Sequence, residues 1–103
     1  MQSAQDRRVC ERLRLAVPLV IEHPEWGTGI TFDVCEWGAR VLCDHAYAVG
    51  EFVRLILPAN KGSGDARRLS GEIVRVVSLS EDLGRWSHAF AVEFDEPLED
   101  AWR

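Results

Sequence analysis

The sequence has almost no lysine: eleven of its twelve basic residues are arginine, and Lys61 stands alone. It also lacks an excess of positive charge, since seventeen acidic residues leave a net charge of −5. That balance argues against nucleic-acid polymers and anionic membrane surfaces as partners, because both need a dominant positive field. No apolar run approaches the ~18 residues of a membrane span. The opening MQSAQDRRVCER is not followed by the apolar stretch of a secretory signal. The three cysteines, Cys10, Cys35 and Cys43, are an odd number at spacings that neither close a disulfide framework nor form a zinc knuckle. The expectation is one soluble domain in a reducing, cytoplasmic compartment, without membrane insertion. At 103 residues it is long enough to bury a core without metal or disulfide staples.

What the chain does have is strand-like alternation nearly throughout. The odd positions from Leu13 to Ile21 are apolar, a period of two. Further runs follow as Ile30, Phe32 and Val34; Ala39, Val41 and Cys43; Val53, Leu55 and Leu57; Leu69 to Val77; and Phe90, Val92 and Phe94. Turn signals separate them at His23 to Gly27, at Glu36-Trp37-Gly38 and over Ala59 to Asp65, where Gly62 and Gly64 mark a hairpin tip. Six short strands in so short a chain predict an all-β fold, a six-stranded antiparallel β-barrel, which also removes exposed edges. The predicted organisation is a mobile arginine leader over 1–12, a barrel over 13–95 and a tail over 96–103. The tail has room for at most a short helical turn after Pro97.

Catalytic and metal chemistry find little to work with. Cys35 with His45 or His88 is the one conceivable nucleophile pair, but cysteine in a small β domain is usually a small hydrophobe. Cys43-Asp44-His45 offers two ligands on one strand, yet Cys10, Cys35, His23 and His88 fall at no metal-binding spacing. Gly62-Ser63-Gly64 lacks the Gly-Lys-Ser/Thr that completes a phosphate loop. Phe32, Phe90 and Phe94 sit in apolar alternation and read as core, not as a stacking face for single-stranded nucleic acid. The reading is a non-enzymatic protein without metal or cofactor.

Two short segments carry more. Residues 1–14 hold Arg7, Arg8, Arg12 and Arg14 against Asp6 and Glu11, a local charge of +2 within an acidic chain. Closely spaced arginines supply planar, bidentate donors suited to phosphates. The other segment is Asp33-Val34-Cys35-Glu36-Trp37-Gly38. Strand alternation sends Asp33 and Cys35 to the side opposite Val34. Gly38 then offers a turn backbone that residues with side chains resist.

Arg8 and Arg12 as RxxxR, followed after some twenty residues by Asp33, Cys35 and Gly38 as DxCxxG, resemble the PilZ domain family. The surrounding segments are similar as well. Arg12 to Ile21, with Pro18, looks like the family's first strand, and Asp33 to Leu42 like its second motif and third strand. Gly50 to Pro58, Leu69 to Val77 and Phe90 to Phe94 look like the rest, so the resemblance runs from about Arg7 to Phe94.

The resemblance implies a receptor for the bacterial second messenger cyclic di-GMP that signals through a partner protein. By that carry-over Arg8 and Arg12 grip guanines and phosphates, Arg7 assists, and Asp33, Cys35 and Gly38 line the other side. An arginine fork can read guanine O6 and N7, and a carboxylate can accept from the base's opposite edge. The family's usual residue at position 35 is serine. A thiol is the weaker hydrogen-bonding group, so Cys35 predicts an affinity roughly five- to tenfold lower, from a bond worth ~1 kcal/mol. The alternative implied by Cys35 is a PilZ-like interaction module that no longer binds nucleotide, with Glu93, Asp95, Glu96, Glu99 and Asp100 facing a basic partner.

Overall fold

The computed structural model describes residues 16–58, 66–83 and 85–98. Six strands run through them: β1 (Pro18–His23), β2 (Gly27–Cys35), β3 (Gly38–Cys43), β4 (Phe52–Leu57), β5 (Arg67–Leu83) and β6 (Trp86–Phe94). Every neighbouring pair is antiparallel, and the order β1-β2-β3-β6-β5-β4 closes on itself through β1 and β4. Closure gives each strand two partners over part of its length, and the far half of β5 pairs with β6 alone. The predicted arginine leader, the hairpin tip over 59–65 and the last residues of the tail lie outside the described residues.

Period-two alternation fills the barrel. Leu19 and Ile21, Ala39, Val41 and Cys43, Val53, Leu55 and Leu57, and Phe90, Val92 and Phe94 all point inward and are buried. Tyr47, between β3 and β4, plugs one end, packing edge-on against Phe90 with ring centroids 5.5 Å apart. Gly50 adopts a left-handed backbone (φ +94°) that leads the chain into β4, and its N–H donates to Ile73 O at 2.8 Å.

Register shifts occur in β1, β2 and β5, and those within β2 and the first half of β5 redirect side chains on one wall. In β2, Thr31 pairs with Val41 and Asp33 with Arg40, leaving Phe32 as the extra residue. Thr31 therefore faces the core and is buried, whereas Phe32 is 39% exposed. This corrects the expectation that Ile30 and Phe32 share an inward face with Val34; only Val34 is buried. The hydroxyl of Thr31 is not wasted inside, since its Oγ1 accepts from Val17 N at 2.9 Å. In β5, Ile73 pairs with Val92 and Arg75 with Ala91, which makes Val74 the extra residue. Unbroken alternation from Leu69 would send Arg75 inward beneath the barrel wall. The bulge turns it outward instead.

Candidate functional site

The β2–β3 hairpin gathers the three barrel residues of the predicted site. Glu36 and Trp37 form its turn, and Cys35 pairs with Gly38 across it. Asp33 lies two pairs further along, opposite Arg40, with Arg40 Nε 3.8 Å from Asp33 Oδ2. The Asp33 side chain is largely covered while Arg40 is about half exposed. Such a pair adds little to stability, but it holds a guanidinium at the mouth of the site. Arg7, Arg8 and Arg12 lie outside the described residues.

Gly38 is required for a reason other than the expected turn conformation, because its φ is not positive. A Cβ placed there would lie 2.5 Å from the carbonyl oxygen of Val92 on β6. The glycine permits the β2–β3 hairpin end to press directly on the β6 backbone. Cys35 is buried at 7% exposure, set apart from the core cluster inside the barrel. Its sulfur therefore offers little surface to an arriving ligand.

The pairing registers extend this corner into a row across four strands. Asp33 on β2 faces Arg40 on β3, Arg40 faces Ala91 on β6, and Ala91 faces Arg75 on β5. All four lie on the outside of the barrel. Beside them runs a groove of about 480 Å³ lined by Phe32, Arg40, Val74, Arg75, Val77, Ala89, Phe90 and Ala91. A smaller hollow of about 100 Å³ adjoins it, reaching Cys35, Trp37, Gly38 and Glu93 and sharing Arg40, Val74 and Ala91 with the groove. The motif corner and the groove form one continuous surface. The bulged residues Phe32 and Val74 stand in its walls, consistent with bulges that re-aim side chains at binding sites.

Arg40 and Arg75 had no motif to announce them. They are far apart in the chain, and only the bulge at Val74 and the register through Ala91 bring them to one face. The one available signal was an arginine at an inward-parity position of a strand, where a buried unpaired charge is prohibitively costly.

The opposite chemistry prevails at Cys43. Its thiol donates to His45 O at 3.3 Å and is buried, and burial pushes its pKa up. Reactive cysteines are tuned the other way. Among the described residues no three histidine, cysteine or carboxylate side chains assemble in a metal-binding group, and no helix is long and apolar enough to cross a membrane.

A family model for the PilZ domain matches residues 6–103. Among solved structures, the Bacillus subtilis inhibitor of motility (MotI/DgrA) superposes with a TM-score of 0.65 at 16% sequence identity. That alignment covers 86% of this chain and 43% of the other, so the chain spans less than half the length of that protein. The likeness is one of fold. No curated protein sequence matches the chain.

Proposed function

The chain belongs to the PilZ domain family, a family of cyclic di-GMP receptors, and on that premise we propose that it binds cyclic di-GMP on the outer face beside Asp33. In this reading Asp33 accepts from the N1 and N2 donors of a guanine, and Gly38 admits the ligand close to the backbone. Arg8 and Arg12, with Arg7 assisting, close over it from the N-terminal side.

The observation that carries the reading is how the chain enters the barrel. Val17 and Thr31 are hydrogen-bonded in both directions, Thr31 N to Val17 O at 3.0 Å and Val17 N to Thr31 Oγ1 at 2.9 Å. Because β1 and β2 are antiparallel, the chain preceding Val17 leaves β1 toward the Asp33 end of β2. Arg12 lies five residue steps before Val17, an extended reach of at most ~18 Å. That is enough to bring its guanidinium over Asp33 and the groove. The local +2 of residues 1–14 then meets two ligand phosphates, while the chain's overall −5 is spread elsewhere.

Closing the arginine segment over the groove changes the surface offered to a protein partner, which is how a receptor without catalytic groups transmits the signal. Calorimetric titration of the chain with cyclic di-GMP tests the reading. Arg8→Ala and Arg12→Ala are each expected to lose most of the affinity. No heat and no chemical-shift change at high micromolar ligand would sink it. The burial of Cys35 favours one second reading, an interaction module without nucleotide; partner capture that survives both arginine substitutions, together with silent titrations, would select it.

A further inference from the structure

Resting on the cyclic di-GMP reading, we propose that the Arg40–Ala91–Arg75 row is a purine platform. One guanine lies over Ala89 and Ala91, Arg75 reads its O6 and N7 edge, and Arg40 takes a phosphate.

The pairing registers set the spacing. Adjacent strands lie ~4.8 Å apart, so two strand steps place the Cα atoms of Arg40 and Arg75 about 10 Å apart with Ala91 midway between them. The next rung repeats the pattern, with Ala89 between Leu42 and Val77. Two alanines side by side on β6 leave a flat, shallow floor where larger side chains would stand up into the space. The resulting groove of about 480 Å³ falls in the size range of small-molecule sites, ~300–1,000 Å³.

A solvated sheet face does not account for the walls. Phe32, Val74 and Val77 are 39%, 42% and 47% exposed, and the first two reach the surface only because each is the extra residue of a bulge. Apolar side chains collected around a groove mark a binding surface. The charges flanking it are complementary to a dianion carrying aromatic bases. Arg40 is already steered by Asp33, whereas Arg75 has no hydrogen bond or ion pair among the described residues. An unengaged fork at the edge of an apolar floor suits bidentate donation to guanine, which adenine cannot accept because it presents an amino group in place of O6.

The occupant is therefore a guanine nucleotide continuous with the motif corner, not a peptide or a second chain. Titration of Arg75→Ala should show an affinity for cyclic di-GMP about tenfold weaker, with binding of cyclic di-AMP unchanged, so that discrimination between the two falls. Arg75→Lys should lose discrimination to nearly the same degree, since the charge stays and the fork goes. Arg40→Ala should weaken both dinucleotides alike. Ala91→Leu, outside the core, should fold normally by circular dichroism yet weaken cyclic di-GMP by tenfold or more by filling the floor. If the unaltered chain binds and Arg75→Ala and Ala91→Leu bind equally well, the platform is wrong and the motif-based site stands. If the unaltered chain binds no cyclic di-GMP, both readings fall together.

Discussion

The inner and outer faces of the β2–β3–β6–β5 wall are made by the same four strands and follow different rules. Inside, residues are chosen by bulk and polarity, and one apolar side chain follows every second position. Outside, the useful residues are those that the registers bring into line: Asp33, Arg40, Ala91 and Arg75. Phe90 and Phe32 make the contrast concrete. Both occupy alternating apolar runs, yet Phe90 is 3% exposed in the core and Phe32 is 39% exposed in the groove wall. One extra residue in a ladder separates a packing residue from a binding one. A face built from bulges and registers can change its ligand without disturbing the core behind it.

Substitutions on the two faces should therefore separate stability from affinity. The largest effect belongs to the inner face: Phe90→Ala is expected to cost about 3–5 kcal/mol in urea unfolding. A loss of affinity without a loss of stability would erase the distinction.

Alkaline pH probes the same interior at the Tyr47 end. The Tyr47 hydroxyl is buried without a hydrogen-bond partner among the described residues, and burial pushes its pKa from 10.0 up to about 12. Since the folded value lies above the unfolded one, ionisation favours the unfolded chain. The contribution of Tyr47 is fully present below pH 10 and is lost as pH rises through 12. Tyr47→Phe should flatten that part of the stability profile; an unchanged slope would show that the phenol is wetted.

Smaller effects belong to the outer face. Cys35→Ser is expected to leave cyclic di-GMP affinity nearly unchanged, because the side chain at position 35 is buried away from an arriving ligand. A marked loss of affinity in titration would reveal a role for the thiol beyond packing. The least change is expected from Phe32→Ser, within about 0.5 kcal/mol in thermal or urea unfolding, in contrast to its apparent twin Phe90. A cost of several kcal/mol would place Phe32 in the core after all.

Most of the barrel was legible in the chain because alternation is a local property. The runs at Ala39–Cys43, Val53–Leu57 and Phe90–Phe94 became β3, β4 and β6 with their inward residues as expected. The hairpin at Glu36-Trp37 was equally plain, with Cys35 and Gly38 paired across it. The need for glycine at 38 was not legible locally: it admits the Val92 carbonyl, a neighbour distant in sequence, and its φ is not positive. Arg75 could not be assigned to a face from β5 alone, because its parity depends on whether Val74 is accommodated as a bulge.

A closed antiparallel barrel, the motif corner at Asp33, Cys35 and Gly38, and a local excess of arginine in an acidic chain can all be read from the residues alone. These follow from residue spacing within single segments, where side-chain period and turn chemistry act over a few positions. That Arg40 and Arg75 flank Ala91, and that Phe32 and Val74 stand outside, emerges from strand pairing in the folded barrel. Pairing register is set by hydrogen bonds between strands remote in the chain, and a one-residue bulge reverses every face beyond it.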